Sequence, residues 1–216
     1  DYNRYFEDAC FSEALVSFKP DVVYFHTTRH NVEPPEYGDA DIDQKFKNET
    51  ARLSLMWQTC RERTGAVIIQ NNFDMPDTAP LGNADFSNPC SQRNFLLRLN
   101  LFMVEYAEKN TGFYISDIEA LAARLGQSNW YSSKYMLLYK FAVAPGAVPA
   151  LALNIGKILL AVFGARKKAV LLDLDNTLWG GTVGDDGYQG IKIGNDSPAG
   201  EAFLAFQKYL KKLRET

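Results

Sequence analysis

Three short apolar runs, "DVVYFHT", "AVIIQNNF" and "FYISDI", recur between longer amphipathic stretches, and each closes on polar residues. β-Branched and aromatic residues fill them, as strands require. A strand that is apolar throughout has no solvent face, so its sheet must be covered on both sides. Strands alternating with helices achieve this as a parallel sheet between helical layers. Ligands of such sheets bind at the carboxyl ends of the strands. The residues to weigh first are therefore His26 and Thr27, Asn71 and Asn72, Asp117, and the pair Asp173 and Asp175 that ends a fourth run, "AVLLDLDNT".

The stretches between the runs read as helices. Arg4 to Val16 precedes the first strand. Beyond a Pro-rich loop (Asn31 to Ala40), "DIDQKFKNETARLSLMWQTCRER" places Phe46, Leu53, Met56, Trp57 and Cys60 roughly on one face, and Gly65 ends it. Ala66 to Phe73 is a buried strand, and a Pro-, Gly- and Asn-rich loop follows to Ser91. Gln92 to Asn110 and "EALAARLG" are helices flanking the strand Phe113 to Ile118. An aromatic loop, "QSNWYSSKYMLLYKF", leads to an apolar helix, Val148 to Phe163. Asn154 and Lys157 interrupt that run, which favours a packed amphipathic helix over a membrane span. "GARKK" (Gly164 to Lys168) is a basic linker to the fourth run.

Composition narrows the function classes. The 216 residues are 46% hydrophobic and 23% charged, as in a soluble protein of one or two domains. A net charge of −3 argues against a general nucleic-acid binder. Cys10, Cys60 and Cys90 have no zinc or CxxC spacing, so reduced thiols and a cytoplasmic setting are expected. No secretory signal or membrane partner is indicated. The chain opens on Asp1 without an initiator Met and stops in "KKLRET", so it is expected to be cut at both ends.

The fourth run carries the chemistry. Side chains two apart on a strand face the same way, so Asp173 and Asp175 can converge on one pocket. Two adjacent carboxylates repel unless a cation or a shared proton intervenes. Mg²⁺, which prefers oxygen ligands and keeps waters, would relieve the repulsion. One carboxylate could then attack phosphorus while the other handles protons. Asn176 and Thr177 suit the turn that follows and could touch the substrate. "LWGGTVGDDGYQGIKI" reads as a tight hairpin reversing at Asp186-Gly187. Ser197 and Pro198 then open a helix carrying Phe203, Phe206, Leu210 and Leu213.

DxDNT after an apolar strand resembles the first motif of haloacid dehalogenase (HAD) superfamily phosphatases. "LLDLDNTLWGGTVGDDGYQGIKIG" with "SPAGEAFLAFQKYLKKLRE" more narrowly resembles the FkbH-like subfamily. "NNFDMP", "LGN", "QRN" and "SDIEALAARLGQSNW" resemble the SGNH/GDSL-hydrolase-like domain that precedes the phosphatase domain there. The resemblance implies two domains. Residues 1–165 would be a flavodoxin-like, SGNH-type α/β domain with a three-layer parallel sheet. Residues 168–216 would be the first βα segment of a HAD Rossmann-like domain. It implies Asp173 as phosphoryl-accepting nucleophile and Asp175 as general acid/base, with Mg²⁺ on the Asp173 carboxylate and the Asp175 carbonyl. The substrate would be a phosphorylated small molecule. In some members a glyceryl unit passes from a phosphorylated glycerate to an acyl carrier protein.

The same resemblance marks what this chain lacks. The Ser or Thr, the Lys and the further acidic residues of the superfamily lie on later strands. Lys192, Lys208, Lys211 and Lys212 fall in the hairpin and first helix instead, so this chain by itself is expected to be inactive. In the first domain the nucleophilic Ser strand and the GxND motif are missing, and "VAPG" has Ala144 where a His is expected before Pro145. Asp117 could match the Asp of that block, but without a base no Ser is activated.

Other polar residues have plainer readings. Asn71 and Asn72 could bind a ligand or satisfy local backbone. His26 and His30 suit polar packing better than a metal. Trp130, Tyr131, Tyr135 and Tyr139 suit a seam between elements. Arg166, Lys167, Lys168, Lys208, Lys211 and Lys212 suit a solvated face, or an acidic carrier protein. The rival to a phosphotransferase is a non-catalytic module that positions a carrier protein or substrate.

Overall fold

Gly65, at φ 72°, ends the longest helix and turns the chain into the middle strand of a parallel sheet. In the computed structural model residues 4–39, 41–164 and 169–215 are described, and they divide into two units, Asp1–Gly164 and Ala165–Thr216. The linker residues Arg166, Lys167 and Lys168 lie outside the described residues.

In the first unit the expected N-terminal helix is two: α1 (Tyr5–Phe11) and α2 (Glu13–Phe18). Ser12 between them is extended, and its hydroxyl accepts the Leu15 N–H at 3.2 Å, capping the second helix while ending the first. β1 (Val22–Phe25), β2 (Val67–Asn71) and β3 (Phe113–Ser116) pair in the order β1-β2-β3, all parallel. Val23 lies opposite Ile68 and Ile68 opposite Phe113, so these side chains share one face. α3 (Ile42–Thr64) and α4 (Gln92–Lys109) supply the layer over that face. Asp41 caps α3 and Ser91 caps α4. Leu53, Met56, Trp57 and Cys60 form the buried stripe of α3, at the spacing of one helical face. Trp57 sits 4.7 Å from the Phe113 ring and 4.8 Å from the Tyr106 ring, and its indole donates to buried Gln70 at 2.9 Å. The indole thus satisfies the one polar side chain that β2 turns into this core.

α5 (Ile118–Leu125) follows β3. The aromatic loop expected next is two short helices, α6 (Gln127–Trp130) and α7 (Ser133–Tyr139), divided at extended Tyr131. α8 (Val148–Phe163) meets β3 through Asn154, whose amide donates to Ser116 Oγ at 3.0 Å. The helix packs along one side only, with Ala150 and Leu151 against the buried cluster of Ile118, Leu121 and Trp130. None of its residues is buried, and Leu153 and Leu160 are 61% and 71% exposed. A turn at Pro145–Ala147 also runs directly into it. The joined stretch Pro145–Phe163 is long and apolar enough, by length and composition alone, to cross a membrane.

In the second unit, residues 169–173 form no strand, contrary to expectation. An apolar run becomes a strand only when a neighbour takes its N–H and C=O groups. No described strand lies beside this one, and Leu171 is 97% exposed. The expected hairpin is half present. Gly180 and Lys192 exchange both backbone hydrogen bonds, at 3.0 and 2.7 Å, but the chain between them is helical, α9 (Val183–Gly190), kinked at Gly187. α10 (Pro198–Glu215) begins as the Ser197 cap requires, with Ser197 Oγ accepting the Gly200 N–H at 3.1 Å.

Candidate active site

The DLDNT segment turns tightly just past Leu174. The N–H groups of Thr177 and Leu178 both reach the Leu174 carbonyl, at 3.2 and 2.8 Å. Asn176 takes the left-handed conformation, φ 53°, which Asn tolerates better than most residues. Its side-chain oxygen accepts the Gly181 N–H at 2.8 Å, and its own N–H reaches the Gly181 carbonyl at 3.3 Å. Asn176 and Thr177 are thus the turn itself.

The two aspartates are held differently. Asp173 is exposed, and its Oδ1 accepts the N–H of Leu174 at 2.8 Å. Asp175 is half-buried. Its Oδ1 accepts from the Trp179 indole at 2.9 Å and from the Val183 N–H at 3.2 Å. One carboxylate is accessible and the other is fixed by donors from the loop it precedes. A carboxylate open to solvent, with a second two residues on, is the oxygen chemistry Mg²⁺ takes. The set matches in kind but falls short in number: no group of three or more His, Cys, Asp or Glu side chains forms among the described residues.

The carboxyl edge of the first unit's sheet is occupied by internal bonds. Asn71 is fully buried. Its oxygen accepts the Thr27 N–H at 2.9 Å, and its amide donates to the carbonyls of Thr27 and Asn72. Asn72 donates to Asp117 at 2.8 Å and accepts the Ile118 N–H at 2.8 Å. Asp117 also caps α5 through Ala120 N–H. Both asparagines therefore tie strand ends together.

Two further groups stand at this edge, the first of them with no local sequence signal. Arg29, 4% exposed, pairs with buried Asp74 at 3.2 Å and with Asp77 at 3.0 Å, and lies 4.1 Å from the centre of the Tyr131 ring. Burial raises the Asp74 carboxyl above its ordinary value, while Arg29 and the Trp130 indole oppose the rise. Tyr24 Oη lies 3.0 Å from His26 Nδ1. Burial of the phenol pushes Tyr24 up to about 12, and crowding around the imidazole lowers His26 although part of its ring is open. The signal for this pair is i,i+2 spacing at a strand end, which puts both rings on one face. His30 sits apart, 6.3 Å from the Tyr131 ring.

Residues 3–160 match the family described as FkbH, N-terminal domain, and the chain belongs to that family. No curated protein matches it. Among solved structures it is similar to the N-terminal part of the protein BF1531 from Bacteroides fragilis, which contains a phosphatase domain and is complexed with Mg. The TM-score is 0.83 at 24% identity, covering 99% of this chain and 56% of that one, so the two share a fold. This chain spans just over half the length of the structure it matches.

Proposed function

We propose that this chain carries the nucleophile-bearing segment of a HAD-type, Mg²⁺-dependent phosphatase or phosphotransferase that works through an aspartyl phosphate. The carrying observation is the unequal treatment of the two carboxylates: Asp173 exposed, Asp175 held by Trp179 and Val183. An oxygen of Asp173 attacks phosphorus and the bond to the leaving oxygen breaks. Asp175 protonates that oxygen, then takes a proton from the water or other acceptor that cleaves the aspartyl phosphate and regenerates Asp173. The Asp173 carboxylate and the Asp175 carbonyl would hold Mg²⁺, which supplies charge neutralisation at the phosphoryl oxygens. The similarity to a structure complexed with Mg supports this reading.

Phosphoryl transfer depends on preorganised donors and cations around the transferring group, and loss of one such donor costs a factor of about 10² or more in rate. A Mg²⁺-dependent phosphate-release assay on the 216-residue chain, and on a longer chain from the same reading frame, tests the proposal. Turnover is expected only from the longer chain, abolished by Asp173→Asn and crippled by Asp175→Asn. Full activity in the Asp173→Asn variant of the longer chain would overturn it.

The finer substrate reading, glyceryl transfer from a phosphorylated glycerate to an acyl carrier protein, rests on the resemblance of the DLDNT region. A mass increase on a carrier protein incubated with the longer chain would test it. The first unit we read as an SGNH-type scaffold without ester hydrolysis. Ala144 stands where the base is expected, its N–H bonded to the Trp130 carbonyl at 2.8 Å, and Asp117 is engaged by Asn72 and Ala120. p-Nitrophenyl acetate should not be hydrolysed above background. A rate abolished by a single Ser→Ala change in residues 1–165 would refute that reading.

A further inference from the structure

A cavity of about 590 Å³ opens at the carboxyl end of β1, within the range of small-molecule sites. Its surface is predominantly apolar, with Phe141, Val148 and Leu151 among its walls, and His26 and Lys140 supply cationic or donor chemistry. Neither the aspartates of the second unit nor the asparagine bonds at the strand ends use it.

One hydrogen bond sets what His26 offers. Tyr24 Oη lies 3.0 Å from His26 Nδ1, and the phenol hydrogen is assigned to that bond. Nδ1 is then an acceptor, and the neutral imidazole carries its proton on Nε2. The ring presents an N–H donor on the side away from Tyr24. Lys140, at the C-cap of α7 in the left-handed conformation (φ 59°), has no carboxylate partner among the described residues.

We propose that this cavity binds an amphipathic carboxylate, a medium-length aliphatic acid whose head accepts from His26 Nε2–H and pairs with Lys140 while its tail lies against Phe141, Val148 and Leu151. One ammonium and one neutral donor match a monoanion.

Isothermal titration of the 216-residue chain with octanoate tests this, with acetate (head without tail) and octylamine (same tail, opposite charge) as controls. Octanoate should bind at one saturable site and the controls should not. Lys140→Asn removes the ammonium with a residue that tolerates the same backbone conformation, and His26→Phe removes the donor. Each should weaken binding about tenfold, the size expected for one charge-assisted hydrogen bond. Tyr24→Phe should weaken it less, by freeing the imidazole tautomer. Val148→Trp, at a half-exposed helical position, should block the cavity and abolish binding with the circular dichroism unchanged. No saturable binding of octanoate, equal binding of octylamine, or binding untouched by Lys140→Asn and Val148→Trp would each overturn the proposal.

Discussion

Arg29 lies buried between Asp74, Asp77 and the face of Tyr131, and the Asp74 partner is itself only 5% exposed. Removing one member of a buried pair strands the other, at a cost of about 3–5 kcal/mol. Arg29→Met should therefore lower unfolding free energy by that order in urea. Its pH dependence has a definite sign. A carboxyl raised above its ordinary 3.8 in the folded state stabilises most below that value, and this contribution is lost as pH rises through the folded value. Without Arg29 the carboxyl rises further, so the variant's deficit should be greatest near neutral pH and shrink on acidification. Equal deficits at about pH 7 and about pH 4.5 would assign the loss to packing instead. Asn71→Asp tests the strand-end bonds. It sets a carboxylate oxygen against the Thr27 and Asn72 carbonyls, and should destabilise more than Asn71→Ala, which leaves the buried Thr27 groups unpaired at about 1–3 kcal/mol each.

Periodicity and caps made the first unit's strands and long helices readable. Asp41, Ser91 and Gly65 sit where local backbone chemistry demands them. The turn at Asn176 and Thr177 was readable for a similar reason: its bonds join residues close together in the chain. The Arg29–Asp74 pair joins positions 45 residues apart, and no local pattern announces such a contact. The run 169–173 misled because apolarity records a preference for burial, whereas a strand also needs a partner. On α8, Leu153 and Leu160 are open to solvent, so Leu153→Gln and Leu160→Gln should change stability by less than about 0.5 kcal/mol each. A thermal melt showing a large loss would mean that those side chains are covered. In the second unit, a Cβ at Gly180 would stand 2.8 Å from the Phe203 ring and 3.2 Å from Lys192 Cβ. Gly180→Ala should destabilise the Gly180–Lys192 pairing by about 1–3 kcal/mol, read as faster amide exchange at Lys192.

At the scale of the molecule the two units are unequal. The first has a continuous core from Ala9 through Trp57 to Phe113. In the second, Gly180 and Gly200 are the only buried residues among those described, so no apolar side chain is fully withdrawn from water. A segment this short without a core gains little from the hydrophobic effect. Limited proteolysis should cut within 165–216 first and leave a resistant fragment close to Asp1–Gly164. Equal resistance of both units would contradict this. The turn after Leu174 is nonetheless held by bonds within a few residues, Asp175 to Trp179 and Val183, and Asn176 to Gly181. Its shape travels with its own sequence. Because the Trp179 indole rests its N–H on Asp175, the segment has an intrinsic fluorophore, and any proton, cation or phosphoryl compound that draws on that carboxylate should register as a change in the colour of its emission.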